Sequence, residues 1–141
     1  MKGKTIHELE IGQTAHFSKT ISESDIYLFA GVTGDLNPAH INQAYAERTA
    51  FRTRIAHGML PAGFISAVLG TQLPGPGTIY IQQTLNFKAP VVMGDTITAT
   101  VEVVEIMAEK KRVRLKTICT NQADKVVLEG EALVSPPRKL P

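Results

Sequence analysis

The amino-acid sequence predicts one α+β domain in which a curved antiparallel sheet wraps around a single apolar helix. Three observations lead to this fold class. The chain has 141 residues, the size of one domain, so we treat residues 1–141 as a single unit. Residues 59–69 form an almost unbroken apolar run of helical length. After residue 78 the apolar residues recur with a period of two, and the helix needs the resulting sheet to cover it.

The first third of the chain predicts a strand followed by a capped helix. Residues 12–21 alternate between apolar and polar side chains, which is typical of a strand with one buried face. Ser22 is followed three residues later by Asp25, the pattern of a helix N-cap with its reciprocal acidic partner. We expect Gly31 and Gly34 to end this helix.

The middle of the chain predicts two more helices. Asn37 is a favoured N-cap and Pro38 is favoured at the first helical position, so a short helix is expected over residues 39–48. Residues 49–57 carry no periodic pattern and are predicted to be an irregular connection. The helix over residues 59–69 is apolar nearly all round, which predicts burial on most faces.

The last part of the chain predicts four consecutive strands with short turns between them. Consecutive strands with short connections are most easily antiparallel. The alternating segments are residues 79–87, 97–103, 113–117 and 126–134.

Composition excludes several classes of function. Fifteen basic and thirteen acidic side chains give a formal net charge of +2, and there is no Trp, which argues against a nucleic-acid partner. The single cysteine, Cys119, excludes an internal disulfide and favours a reducing, cytoplasmic location. The apolar run is too short to cross a bilayer, so no membrane partner is expected.

The densest polar cluster of the sequence contains Asp35, Asn37 and His40. Asp35 is a potential base, and His40 can hold or transfer a proton. If Asn37 caps the helix, His40 lies in its first turn, where the helix dipole favours a neutral imidazole. A neutral imidazole beside a carboxylate can hold and polarise one water. The residues alone also permit a simpler interpretation, in which Asp35 and Asn37 form only a turn and a cap.

A second cluster lies at the start of the apolar helix. Gly58 would present a bare backbone N–H at the positive end of that helix, where it can stabilise an oxyanion, or it would only allow close packing. Ser66 is the one hydroxyl within the apolar run and is either a polar point in a ligand tunnel or bonded back to the helix. The spacing of Asp35, His40 and His57 matches no closed metal site, so no metal is predicted.

Several segments together resemble the (R)-specific enoyl-CoA hydratases, also called hydratase 2 or MaoC-like dehydratases. The resemblance runs over residues 12–135, and Ala39 departs from it because an aliphatic Leu, Ile or Val is more usual there. The segments are GDLNPAH at 34–40 with Ala46 after it, HGML at 57–60, GPGTIY at 75–80, LNFKAPV at 85–91 and VMGDT at 92–96.

The resemblance implies a hot-dog fold, a homodimer or larger assembly whose sheets join edge to edge, and an acyl-CoA thioester substrate. It implies that Asp35 and His40 are the catalytic pair, that Gly58 N–H binds the thioester oxygen and that Ser66 lies along the acyl pocket. The expected reaction is reversible syn hydration of a trans-2-enoyl-CoA to an (R)-3-hydroxyacyl-CoA, with no cofactor. Alternatives are a 3-hydroxyacyl-[acyl-carrier-protein] dehydratase, a hot-dog thioesterase and a non-catalytic acyl-CoA binding protein.

The helix spacing further predicts what closes the acyl pocket. Leu69 follows Ser66 by three residues and shares its helix face, so it would be a bulky stop one turn further in. Val134 on the last strand would close the far wall, and the pocket would take short acyl chains. The candidate substrate-binding residues are therefore Asn37, His57, Gly58, Ser66, Leu69 and Val134.

Overall fold

The computed structural model describes residues 2–139 and consists of one sheet, four helices and a short 3-10 turn over Ile6–Glu8. The helices are α1 (Glu23–Thr33), α2 (Pro38–Ile41), α3 (Gln43–Ala46) and α4 (Met59–Thr71). The strands are β1 (Thr14–Thr20), β2 (Ile79–Gln83), β3 (Asn86–Phe87), β4 (Thr96–Met107), β5 (Arg112–Thr120) and β6 (Val126–Ser135).

The sheet confirms the predicted fold class. Its strands lie in the order β1-β4-β5-β6-β2, β3 also pairs with β6, and every pairing is antiparallel. Helix α4 packs against β1, β4 and β5. This arrangement of an apolar helix wrapped by a curved antiparallel sheet is the hot-dog fold.

The core forms where the inward residues of the sheet meet α4. Alternate residues of β4, from Ile97 to Val103, are fully buried, as a half-buried strand requires. Helix α4 buries six side chains, among them Ile65 and Leu69. Each such aliphatic side chain contributes about 1.5–3 kcal/mol when it is removed from water. The opposite stripe of α4 remains exposed and consists mostly of small residues: Met59, Gly63, Ser66 and Gly70.

Two predicted elements are divided in the structure. The helix expected over 39–48 is two single turns, because the Asn42 side chain accepts a hydrogen bond from Tyr45 N–H and starts a new helix. The strand expected over 79–87 is split into β2 and β3, with a register shift between Tyr80 and Gln82. Because β2 is an edge strand, its residues do not alternate between buried and exposed as predicted, and Ile79 is 64% exposed.

None of the helices within residues 2–139 has both the length and the apolar character that a bilayer span requires.

Candidate active site

The candidate site opens into a cavity of about 710 Å³ between α1, the start of α4 and strand β2. Asp35, His40, His57, Gly58 and Ser66 all line this cavity. The structure therefore brings together the two polar clusters that the sequence separates by some twenty residues.

Asp35 lies in the short turn between α1 and α2 and is held from both sides. Its backbone N–H donates to the Thr33 hydroxyl (3.2 Å), and its carboxylate accepts from Asn37 N–H (3.2 Å). The Asn37 side chain in turn accepts from Ala39 N–H (3.0 Å) and caps α2, as predicted. The side chain of Asp35 is fixed in direction while the residue itself remains exposed, as a base that meets an incoming water needs.

His40 is 7% exposed, and its tautomer follows from one contact. Its Nδ1 lies 2.7 Å from the carbonyl oxygen of Ile55. Because a carbonyl only accepts, Nδ1 carries the hydrogen, and in the neutral ring Nε2 carries the lone pair. The contact also fixes the orientation of the ring, whereas the helix dipole that the sequence analysis invoked for a neutral imidazole is small here because α2 is a single turn.

His57 is 2% exposed and lies against the ring of His40, with the centroids 3.8 Å apart and the planes at 26°. Its Nε2 lies 2.9 Å from the backbone carbonyl oxygen of Asp35. One potential ligand atom from each of Asp35, His40 and His57 falls within 4.8 Å of the others, close enough for a cation by distance alone. Each histidine gives one nitrogen to a carbonyl and keeps the other, and the two rings lie face to face. Imidazoles that ligate one ion point their nitrogens at a common centre, which is a poor match to two stacked rings.

Gly58 stands at the N-terminus of α4, and no carbonyl within residues 2–139 accepts its backbone N–H. A Cβ atom at this position would lie 2.7 Å from Cε1 of Phe87. The packing interpretation therefore applies, because the missing side chain admits the Phe87 ring, and Gly58 also lines the cavity at a positive helix end.

Ser66 also lines the cavity and lies about two helical turns after Gly58 on α4. The hydroxyls of Thr33 and Thr71 bond back to the helix carbonyl four residues earlier. The Ser66 hydroxyl makes no such bond within the described residues, so it remains available to a ligand.

The other predicted binding residues lie outside the cavity wall. Leu69 is 1% and Val134 0% exposed, and neither lines the open cavity. Val134 pairs in register with Tyr80, which does line it, so Val134 lies just behind the wall. Asn37 acts through the Asp35 carboxylate and does not border the cavity itself.

Sequence reasoning missed a polar group on the sheet side of the cavity. The Tyr80 hydroxyl donates to the Gln83 side-chain oxygen, and Gln83 donates onward to the buried Thr117 hydroxyl (2.9 Å). Burial raises the pKa of Tyr80 to about 12, so its hydroxyl stays protonated. The alternating sequence of β2 predicted a strand but gave no sign that the strand lines a cavity. The register shift between Tyr80 and Gln82 breaks the alternation, and all four residues from Tyr80 to Gln83 border the cavity.

Comparison with known proteins decides the family. The profile described as "MaoC like domain" matches residues 7–127. The chain belongs to the MaoC-like domain family. It is 63% identical to an (R)-specific enoyl-CoA hydratase of Rhodospirillum rubrum, over 94% of this chain and 91% of the relative. It is 55% identical to a 3-hydroxybutyryl-CoA dehydratase of Methylorubrum extorquens, over 94% of this chain and 83% of that protein.

A solved structure supports the same placement. The R-hydratase PhaJ1 from Pseudomonas aeruginosa, in its unliganded form, superposes with a TM-score of 0.92 at 49% identity. The match covers 97% of this chain and 88% of that one. The MaoC-like domain therefore accounts for nearly the whole chain, which agrees with the resemblance seen in its motifs.

Proposed function

We propose that this protein is an (R)-specific enoyl-CoA hydratase that adds water reversibly across the 2,3 double bond of a trans-2-enoyl-CoA. The observation that carries the proposal is a carboxylate oxygen of Asp35 and a ring nitrogen of His40 within 4.8 Å of each other, beside Gly58, whose N–H has no carbonyl acceptor within residues 2–139. The hydratase and dehydratase names of the relatives describe the two directions of this reaction.

The catalytic pair orients a water for attack. With Nδ1–H of His40 donated to Ile55, the neutral ring offers only its Nε2 lone pair to the site. The Asp35 carboxylate is likewise an acceptor, so the two residues accept both hydrogens of one water. The oxygen lone pair of that water is then directed at C3 of the substrate, and Asp35 takes the proton as the C–O bond forms.

The negative charge that attack creates moves through C2 to the thioester oxygen. Gly58 N–H and the N-terminus of α4 stabilise the charge on the thioester oxygen. The barrier is lowered because this donor is in position before the reaction begins. The pair starts with no transferable proton on its facing atoms, so the proton that returns to C2 is the one taken from water. Delivery from the same side gives syn addition and restores the pair.

The surrounding space suits a thioester with two arms. A second cavity of about 330 Å³ shares His57 and Gly58 with the first and has Lys88 in its wall. We assign the acyl arm to the larger cavity, along Ser66, and the carrier arm to the smaller one. Substrate-binding roles for Gly58 and Ser66 follow from these positions, His57 borders both cavities where they meet, and Asn37 acts through Asp35.

We further propose that two chains pair through the β2 edge, and that the enzyme works in the cytoplasm. Strand β2 has no charged side chain, although edge strands usually carry such protection, and Ile79, Tyr80 and Ile81 are each at least 40% exposed. A partner on this edge would cover the cavity wall that β2 forms. Cys119 is a free, buried thiol, as a reducing compartment allows.

The direct test mixes the protein with crotonyl-CoA and follows loss of the enoyl absorbance beside release of free thiol. Hydration without thiol release supports a hydratase, whereas thiol release alone would identify a thioesterase. If neither hydration nor thiol release is observed, the protein is a non-catalytic binding protein. The same assay with the acyl-carrier-protein substrate separates the dehydratase alternative. We expect Asp35→Asn and His40→Ala each to lower turnover by about 10²–10⁴ with the fold intact. Wild-type turnover in either variant would refute the assignment.

A further inference from the structure

We propose that His57 is a positioning residue that holds both members of the catalytic pair, Asp35 and His40, in their working geometry. The inference rests on the proposed hydration and adds a residue to its machinery. His57 lies in the irregular connection just before α4, so no helix or strand periodicity fixes its place.

The first contact of His57 fixes the backbone of the base. Its Nε2 lies 2.9 Å from the carbonyl oxygen of Asp35, and because that oxygen only accepts, Nε2–H is the donor. Within residues 2–139, the other hydrogen bonds of the turn around Asp35 join residues no more than four positions apart, such as those to Thr33 and from Asn37. The contact from His57 is the long-range one, 22 residues away in sequence, and it anchors this exposed turn to the start of α4.

The second contact fixes the ring of the other catalytic residue. The imidazole of His57 lies between two rings, with His40 at 3.8 Å and Phe29 at 4.8 Å between centroids. One face of His40 is therefore supported by His57 while its Nδ1 is held by Ile55. A ring with one edge and one face fixed points its Nε2 in a single direction. A displacement of about 1 Å in such a group can lower turnover by about 10²-fold.

The remaining nitrogen of His57 argues that this residue does more than fill space. Nδ1 is buried and has no hydrogen-bond partner within residues 2–139. Since Nε2 carries the hydrogen, Nδ1 of the neutral ring is a buried acceptor without a donor, which is unfavourable. A phenylalanine would stack in the same place with no such unpaired atom. Packing alone therefore does not explain a histidine here, whereas the donor to Asp35 does.

Three substitutions separate the donor from the ring. His57→Phe keeps a flat ring and removes the donor, His57→Gln places an amide N–H about as far from the backbone as Nε2, and His57→Asn reaches only as far as Nδ1. His16→Gln, on the exposed side of β1, is the matched control. The measurements are kcat and KM for crotonyl-CoA hydration and the Tm of each variant.

We expect His57→Phe and His57→Asn to lower kcat by about 10²-fold with KM within about threefold of wild type. We expect His57→Gln to recover kcat to within about tenfold of wild type. The Tm of His57→Phe should remain within about 3 °C of wild type or exceed it, so that activity and stability change in different directions. A residue with only a structural role would lose both together.

The proposal is overturned if folded His57→Phe keeps wild-type kcat, or if His57→Gln is no faster than His57→Asn. If His57→Phe does not fold, the comparison of Gln with Asn decides alone. A wild-type protein that fails to hydrate crotonyl-CoA would refute the proposed function instead, so the two failures are distinguishable.

Discussion

The sharpest structural prediction concerns the addition of a single methyl group at Gly58. The backbone does not resist the change Gly58→Ala, because φ is −56° and ψ is −34°, values that alanine adopts freely. The obstacle is the ring of Phe87, whose Cε1 and Cδ1 would lie 2.7 and 2.8 Å from the new Cβ. Either the ring or the first turn of α4 must move.

The magnitude follows from two opposing effects. Overpacking of this kind costs about 1–3 kcal/mol, and loss of glycine entropy in the unfolded chain returns about 0.4–1 kcal/mol. We therefore expect a net loss of about 1–2 kcal/mol, or a fall in Tm of roughly 3–8 °C. If the turn moves, the Gly58 N–H leaves the thioester oxygen, and the loss of one such donor lowers kcat by about 10²–10³-fold.

A double-mutant cycle with Phe87→Ala identifies which group moves. Phe87 is 57% exposed, so its truncation alone should change stability little and leave turnover close to wild type. In Gly58→Ala/Phe87→Ala the clash is gone, and both kcat and Tm should return towards those of Phe87→Ala. The coupling between the two sites measures the clash. A double variant that is stable but as slow as Gly58→Ala would refute the steric argument, as would wild-type kcat in Gly58→Ala itself.

Two further predictions concern the acyl pocket and the response to acid. Leu69 is 1% exposed and lies three residues after Ser66 on α4, so Leu69→Ala should cost about 2–5 kcal/mol of unfolding free energy and, by opening space next to the cavity, should raise the ratio of C8 to C4 turnover. An unchanged ratio would place Leu69 outside the pocket. The hydrogen bond and charge of Lys19, with the Ser22 N–H, lower the pKa of Asp25 below its usual 3.8. The stability gained is full above that pH and is lost as pH falls through the lower pKa, so Asp25→Asn, which does not titrate, should lose stability less steeply in acid denaturation.

Much of the fold could be predicted because it depends on periodicity and on local caps. The Ser22 cap with Asp25, the α1 end at Gly34 and the antiparallel strands all follow from short-range rules. The division of the 39–48 helix was not predicted, because Asn42 is a cap only when the chain bends there. The exposure of β2 was also not predicted, since alternation cannot distinguish an edge strand from a central one.

The candidate site could be predicted only in its chemistry and not in its geometry. Asp35 and His40 were found because a cap and a proline bend the chain between two functional groups. The contacts that aim them come from much later in sequence, His40 from Ile55 and Asp35 from His57. A periodic pattern carries no information about such single contacts from an irregular segment, so the sequence predicted His57 as a substrate-binding residue and gave no sign of its contact with Asp35.

The irregular connection before α4 therefore orients the candidate site, although it contains neither Asp35 nor His40. Backbone contacts hold this connection in place at Ile55, whose N–H donates to the Ala39 carbonyl and which forms an isolated β-bridge with Val92. Ala56 N–H adds a bond of 2.7 Å to the Val91 carbonyl. These contacts join α2, which carries His40, to the chain that leads into β4. The orientation of the His40 ring is thus coupled to the segment that leads into β4, and α2, a single turn, gains from these contacts a support that its length cannot supply.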